Sequence, residues 1–186
     1  MGATSPSLKG NLLLDGGGLV GSFFHRTVVL VCEHDAKGAF GLVLNKVTEK
    51  RLDELLDEFV PTGLRELQLC LGGPVQPSAF SYLYVPLFGI PGSVLEDVSL
   101  GHSMEELLPI SQGTSLNQRI KLFAGYAGWS PGQLDAEMER KSWISVPATR
   151  SWVFHPDPEN LWKHIIRTLD WPQRFLADAP DDLSNN

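Results

Sequence analysis

The sequence predicts a single α+β domain built on a mixed β-sheet. Segments with strand character outnumber amphipathic segments, and the two kinds do not alternate regularly along the chain. There is no internal repeat and no linker long enough to separate two domains. The 186 residues are 42% hydrophobic and 20% charged, values typical of one globular domain with a full core. We expect this domain over residues 10–176, after a flexible start at 1–9 and before a disordered acidic tail at 177–186.

Apolar runs in the first quarter of the chain predict strands. Residues 11–15 form a short apolar run that ends at three glycines. Residues 27–32 are uniformly apolar, which favours a strand buried on both faces, and residues 39–45 predict a second buried strand close enough to form a hairpin with the first. Similar patterns predict further strands at residues 67–71, 80–85, 94–95, 98, 119–124, 143–146 and 152–154.

Two helices are predicted in the middle of the chain. The first has apolar residues at helical spacing and should end at Pro61 and Gly63; these residues are Leu52, Leu55, Leu56 and Phe59. The second begins with a capping box from Ser103 to Glu106 and should end at Pro109. Both helices are expected to be short.

Two more helices are predicted near the C-terminus. Ser130 and Gln133 form a capping box around Pro131, with the Ser130 hydroxyl accepting from the Gln133 main chain and the Gln133 side chain reaching back. The last helix should be capped by Asp157, with Pro158 at its first position. Its buried stripe comprises Leu161, Trp162, Ile165, Ile166 and Leu169.

Charge and cysteine content exclude several classes of protein. The net charge of −7 and the absence of a Lys/Arg cluster argue against direct nucleic-acid or membrane binding. Cys32 and Cys70 lie in apolar runs, and no signal peptide or membrane-spanning run is present. We therefore expect reduced thiols in a cytoplasmic protein, with a disulfide or redox pair as the alternative.

The glycine-rich segment at residues 16–21 matches the pattern G-x-G-x-x-G. A dinucleotide fold needs a full crossover helix between its parallel strands, so that the pyrophosphate meets a helix N-terminus. Only residues 19–26 are available for it, and they have no helical stripe. We interpret the motif as a flexible glycine turn and expect no cofactor.

Acid–base side chains are concentrated at the end of the second strand, in Glu33-His34-Asp35. Strand alternation sends Glu33 and Asp35 to one face and His34 to the other, and no other histidine has ligand spacing, so no metal site is predicted. Asn45 and the turn Gly72-Gly73-Pro74 also lie at strand ends, where binding sites are commonly built. These residues form one candidate ligand or partner site. The alternative is a polar strand end in which His34 bonds backbone and the carboxylates cap a turn.

No catalytic residue can be assigned. The pattern G-x-S-x-G of serine hydrolases is absent. Cys32 precedes Glu33-His34, but neighbouring strand residues point to opposite faces, and apolar surroundings raise the pKa of a thiol.

A second candidate site lies at the start of the helix near residue 133. Tyr126, Trp129 and Gln133 could form a groove for an anion or a peptide carboxylate. The alternative is that the aromatics cover bare glycine backbone and that Gln133 only caps the helix. Glu137 and Lys141, four residues apart, are interpreted as a surface ion pair.

Four blocks together resemble the YqgE/AlgH family of bacterial proteins: Glu33-His34-Asp35, Gly41-Leu42-Val43-Leu44-Asn45, Gly72-Gly73-Pro74-Val75 and the ten residues from Gly125 to Leu134. The resemblance implies a compact α+β protein whose mixed sheet curls towards a barrel, with helices packed outside. The name AlgH comes from a proposed role in regulating alginate synthesis genes. The family implies no DNA-binding motif, no agreed activity and no catalytic residues.

The chain departs from the family pattern at two positions. Gly17 and Val47 stand where the family usually has proline. These changes leave the expected fold intact but loosen the surface around Glu33-His34-Asp35.

Three functions are consistent with these observations. The leading hypothesis is a non-enzymatic binding or regulatory protein that acts through a protein or a small ligand. The second is a ligand-binding protein or enzyme with its site at Glu33-His34-Asp35. The third is an interaction module that forms a homodimer through an exposed apolar edge.

Overall fold

The structure is a computed structural model that describes residues 6–55, 60–112, 115–170 and 176–177. Within these ranges one sheet of eight strands packs against six short helices, which confirms the predicted single α+β domain. The strands are β1 (Asn11–Asp15), β2 (Val28–Asp35), β3 (Gly38–Val43), β4 (Leu69–Leu71), β5 (Val75–Tyr84), β6 (Ser99–Gly101), β7 (Ile120–Trp129) and β8 (Trp143–Pro147). The helices are α1 (Leu52–Leu55), α2 (Thr62–Arg65), α3 (Met104–Ile110), α4 (Gln133–Glu139), α5 (Arg150–Val153) and α6 (Leu161–Thr168).

The sheet is mixed, as predicted. Its strand order is β6-β5-β7-β3-β2-β1-β8, and neighbours along this path are antiparallel. Strand β4 lies off the path and pairs parallel to β7. The sheet curls towards a barrel. In the described ranges the end strands β6 and β8 do not pair, so the sheet does not close.

Strand β7 is shared by the two halves of the sheet. Its first half pairs with β5 and β4, and its second half, from Ala127 to Trp129, pairs with β3. Gly125 lies between the two halves with φ of +70°, a left-handed conformation that favours glycine. The pairing register with β5 shifts beside this residue. The strand therefore changes direction at Gly125 and joins two differently oriented sheet halves.

The turn after β4 packs directly against this change of direction. The N–H of Gly72 donates to the carbonyl of Ala124 at 2.8 Å, and the carbonyl of Gly72 accepts from Val43 at 2.8 Å. A Cβ atom on Gly73 would lie 2.0 Å from the carbonyl carbon of Tyr126. The backbones approach so closely that only glycine fits here.

Strands β1 to β3 are buried on both faces over most of their length, as predicted for the segments 27–32 and 39–45. Alternate residues along each strand enter different cores. On one face Leu12, Leu30 and Leu42 pack with α6, whose predicted stripe is confirmed at Leu161, Trp162, Ile165 and Ile166. On the other face Leu13, Val29, Val43, Trp129, Leu134 and Trp143 pack together. A further core, under the other half of the sheet, contains Leu52, Leu64, Leu107, Ile120 and Leu122.

The predicted strand at residues 152–154 is wrong, because this segment forms α5. The Thr149 hydroxyl accepts from the N–H of Trp152 at 3.4 Å, and the Thr149 carbonyl accepts from Val153 at 3.0 Å. This cap begins a helical turn that the apolar run alone does not reveal.

Other helix boundaries differ by one turn or less. Gly63 lies inside α2, since Pro61 accepts from the N–H of Leu64 and begins a new turn. Pro109 lies inside α3, which continues one residue further. Helix α1 is observed to Leu55, and the rest of its predicted stripe lies outside the described residues.

The predicted caps of the last two long helices are only partly correct. The Gln133 side chain accepts from the N–H of Ser130 at 3.0 Å as expected, but the N–H of Gln133 donates to the Ser130 carbonyl, not to its hydroxyl. Gly132, with φ of +71°, is the N-terminal boundary of α4. Asn160, not Asp157, precedes α6, and Asp157 accepts from its N–H at 3.3 Å.

The chain ends lie mostly outside the described residues, which include 6–9 and 176–177. Ala177, expected in the disordered tail, is buried in the core that contains α6. No helix in the described part of the chain combines the length and apolar character needed to cross a membrane.

We expect Gly73→Ala to destabilise the fold by about 3 kcal/mol or more, because the added Cβ would overlap the Tyr126 backbone. Gly18→Ala is the matched control, since a Cβ there meets nothing within 4 Å, and its effect should stay within about 0.5 kcal/mol. Urea unfolding of both variants measures the difference. Equal stability would contradict the close approach.

Candidate functional site

His34 joins the N-terminal segment to the first turn of α4. Its side chain is only 6% exposed. Its Nδ1 accepts from the N–H of Leu8 at 3.0 Å, and its carbonyl accepts from the Ser7 hydroxyl at 2.8 Å. Its Nε2 lies 3.7 Å from a carboxylate oxygen of Asp135. Residues 7 and 8, placed in a flexible start by the sequence, are therefore held against the sheet.

The two carboxylates beside His34 are exposed. Asp35 accepts from the N–H of Lys37 at 2.7 Å and so caps the turn between β2 and β3. His34 bonds to backbone groups and Asp35 caps a turn. These are the roles expected if Glu33-His34-Asp35 is only a polar strand end and not a binding site.

Asn45 lies at the opposite end of β2. Its side chain accepts from the N–H of Val28 at 2.8 Å and donates to the carbonyl of Arg26 at 2.8 Å. Six residues of extended strand separate Val28 from His34, which is roughly 20 Å. The turn Gly72-Gly73-Pro74 contacts β7 instead. The structure therefore does not bring these predicted residues together around Glu33-His34-Asp35.

Tyr126 and Trp129 lie on opposite faces of β7, so the predicted groove of Tyr126, Trp129 and Gln133 is wrong. Three residues apart on a strand, the two side chains must point to different sides. The Tyr126 ring stacks on Phe40 at 5.0 Å, whereas Trp129 packs in the core beside α4. Gln133 remains on the Trp129 side.

Glu137 is the acceptor around which that side is organised. One carboxylate oxygen accepts from the indole N–H groups of Trp129 at 2.9 Å and Trp143 at 2.8 Å. The other accepts from Gln133 at 3.0 Å. The sequence interpretation as a surface pair with Lys141 missed this role. The available signal was that Trp129 and Trp143 flank α4 in the sequence, and that a buried indole N–H needs an acceptor.

Asp15, the last residue of β1, is fully buried next to the glycine-rich segment and was also missed. One carboxylate oxygen accepts from the N–H groups of Gly17 at 2.8 Å and Leu19 at 3.2 Å. The other accepts from the main-chain N–H of Arg26 at 2.8 Å and lies 3.3 Å from Nδ1 of His25. Two N–H groups of the glycine motif are thus bound to the protein's own carboxylate. The glycine-rich motif therefore binds an anionic group of the protein itself.

Three candidate nucleophiles, Cys32, Cys70 and Ser81, lack the partners that catalysis requires among the described residues. Cys32 and Cys70 are buried and unpaired, and burial raises the pKa of both thiols. The hydroxyl of Ser81 lies 3.0 Å from Nδ1 of His102, but Ser81 is buried and no described carboxylate orients the ring. Nor do the described residues contain a group of three or more His, Cys, Asp or Glu side chains that could hold a metal.

Two clefts lie on either side of α5. The larger, of about 940 Å³, is bounded by the loop at residues 85–91 and by Glu96, Asp97 and Arg150. The smaller, of about 330 Å³, lies beyond Val153 and includes Lys121 and His155. Neither was predicted, because residues far apart in sequence meet there only after β5 and β7 pair.

Comparisons with known proteins agree on one family. The AlgH-like family model matches residues 12–174. A UPF0301 protein of Chlamydia pneumoniae is 33% identical over 96% of this chain and 95% of its own length. A UPF0301 protein of Cytophaga hutchinsonii is 35% identical over 94% of this chain and 96% of its own length. These matches confirm the resemblance drawn from the four sequence blocks.

Solved structures share the fold. The solution structure of the AlgH protein from Pseudomonas aeruginosa is similar with a TM-score of 0.72 and 28% identity, over 97% of this chain and 98% of that one. A crystal structure of a Corynebacterium diphtheriae protein gives a TM-score of 0.73 at 24% identity, over 95% and 94% of the two chains.

We expect Glu137→Leu to lower the free energy of unfolding by roughly 2–4 kcal/mol, because two buried indole N–H groups lose their acceptor. Glu139→Leu, on the exposed side of α4, is the control and should change stability by less than about 0.5 kcal/mol. Urea unfolding followed by tryptophan fluorescence measures both. A loss no larger than that of the control would show that Glu137 is not the acceptor.

The raised pKa values predict that neither thiol reacts in the folded protein, because the thiolate is the reactive form. At pH 8, Ellman's reagent should label no cysteine within minutes, and it should label both after unfolding in guanidinium. Rapid labelling of Cys32 or Cys70 in the folded state would contradict their burial.

Proposed function

The chain belongs to the AlgH-like family, and on that premise we propose that it is a non-enzymatic binding protein that docks a partner protein at the loop of residues 85–91. Any regulatory effect would then be exerted through that partner, because the net charge of −7 disfavours direct contact with DNA. The observation that carries the proposal is an apolar loop exposed to solvent beside a large cleft.

The tip of this loop presents three large apolar side chains to water. Phe88 is fully exposed, Leu87 is 70% exposed and Ile90 is 57% exposed. Clustered apolar exposure of this kind commonly marks a site of interaction with another protein. Aromatic and aliphatic anchors also supply much of the energy at protein interfaces.

The loop is ordered by its own backbone. The N–H of Ile90 donates to the carbonyl of Leu87 at 3.0 Å, and Gly89 between them has φ of +84°. Pro86 and Pro91 restrict the backbone on either side of this turn. A preformed apolar tip loses little entropy on binding, which favours a docking role over an accidental exposure.

The cleft beside the loop indicates the chemistry of the partner. Glu96 and Asp97 are exposed along it, and Arg150 is the one basic residue that the described part of the chain contributes to its lining. The lining is therefore acidic as well as apolar. We infer that the occupant is a protein segment with an apolar anchor and a neighbouring Lys or Arg, since opposite charge favours encounter and register.

The alternative site at Glu33-His34-Asp35 has less support. His34 and Asp35 are already bonded to Leu8 and Lys37, so a ligand would have to displace existing hydrogen bonds. The enzyme hypothesis is weakened further by the raised thiol pKa values. Two buried unpaired thiols suit a reducing compartment, which supports our proposal of a cytoplasmic protein.

The proposal is tested by selecting peptides from an unbiased display library against the parent protein. Selected peptides should combine an apolar residue with Lys or Arg, and should bind Phe88→Ser at least tenfold more weakly. Glu96→Lys with Asp97→Lys should weaken the same peptides. Because Phe88 is exposed, Phe88→Ser should alter stability by less than about 0.5 kcal/mol.

The matched control is Val20→Ser, which removes an exposed apolar side chain outside the loop and should leave binding unchanged. Peptides that bind Phe88→Ser as tightly as the parent would overturn the proposed surface. Sedimentation that shows a parent dimer and a Phe88→Ser monomer would replace the foreign partner by a second copy of this chain.

A further inference from the structure

The smaller cleft contains a partly buried lysine, Lys121, to which the described residues supply no acidic partner. The cleft lies between the C-terminal end of α5 and the turn before β4, and its volume is about 330 Å³. Its polar lining comprises Glu66, Gln68, Asn117, Lys121 and His155, together with the thiol of Cys70.

The register of β7 determines where Lys121 points. Its neighbours Ile120 and Leu122 both enter the core beneath α3. Lys121 therefore projects from the opposite face, towards α5. There its Nζ donates to the carbonyl of Val153 at 3.3 Å. This carbonyl is a neutral acceptor, and an ammonium group has three protons to donate.

The environment of Lys121 is unfavourable to an isolated charge. Burial lowers the pKa of its amine, and Cys70 is the titratable group that acts on it from the adjacent strand β4. Among the residues that the structure describes, no carboxylate forms an ion pair with Lys121, and the lining acid Glu66 is exposed. A partly buried cation without a counter-charge is unfavourable, so an anion entering the cleft would be stabilised by it.

Further donors lie in the same cleft. Nδ1 of His155 lies 3.1 Å from both the N–H and the carbonyl of Asp157, so Nε2 carries the proton of the neutral ring when Nδ1 accepts from that N–H. This Nε2 has no hydrogen-bond partner among the described residues. Asn117 is exposed and adds an amide N–H group. Lysine, histidine and amide donors together match the oxygen atoms of a small anion.

We propose that this cleft binds a small anion through carboxylate or phosphate oxygen atoms, with Lys121 as the charged partner and His155 and Asn117 as additional donors. The volume suits a small molecule and excludes a folded partner. The site is independent of the partner surface at residues 85–91, and it remains if that surface is wrong.

The test is an NMR titration of the parent protein with acetate in one series and inorganic phosphate in another. Sodium chloride at matched ionic strength is the blank. We expect saturable shifts of the backbone signals of Lys121 and His155 with at least one anion, and the anion that saturates identifies the oxygen group. Lys121→Met should weaken that binding at least tenfold, and Lys50→Met, which removes an exposed lysine, should not change it.

A second measurement does not depend on a variant that must fold. The pKa of the Lys121 amine, followed in the parent through its side-chain carbon signals, should rise when the anion is present, because the ion pair favours the charged form. Failure of both anions to saturate, or an unchanged pKa at high anion concentration, would overturn the proposal. Equal binding by Lys121→Met would do the same and leave Lys121 as a cap of α5 only.

Discussion

The rest of the fold depends on the close approach of the Gly72-Gly73 backbone to β7 at Gly125. Strand β7 must pair with β5 and β4 in its first half and with β3 in its second, and one straight strand could not serve both. The left-handed Gly125 provides the change of direction, and the absence of side chains at residues 72 and 73 allows the neighbouring backbone to follow it. This geometry sets which face each later side chain of β7 occupies.

The polar side chains divide into those that have local partners and those that do not. Asp15 and Glu137 each accept from three donors within the protein, Asn45 binds one donor and one acceptor, and His34 joins the N-terminal segment to the sheet. Such satisfied groups hold the fold together but offer little to a ligand. Two other places could still bind a partner or ligand. The side chains around Phe88 are apolar and exposed, and the ammonium group of Lys121 has no ion-pair partner among the described residues. The functional proposals therefore rest on these two places.

The sequence predicted the local features of the fold well and the candidate sites poorly. The hairpin of β2 and β3 and the buried stripe of α6 follow from periodicity within a few residues, which tertiary contacts reinforce. The separation of Tyr126 from Trp129 depends on strand geometry, and the role of Glu137 depends on where two distant indoles meet. The position of Lys121 in a cleft depends on α5, whose Val153 carbonyl it contacts. The α5 segment was predicted as a strand because its Thr149 cap is a weak signal beside an apolar run.

The late position of β7 in the chain has a consequence for synthesis on the ribosome. Strands β3 and β5 are complete once residue 84 has been made, yet the strand that separates them in the sheet ends at Trp129. The outer edge of β1 remains unpaired for longer, because its partner β8 is complete only at Pro147. A nascent chain of this protein therefore carries open strand edges through much of its translation, and these edges are templates for wrong pairing until they are covered. We therefore expect the whole sheet to fold only after the C-terminal third of the chain has left the ribosome. Until then, chaperones that shield unpaired strands are expected to bind the growing chain.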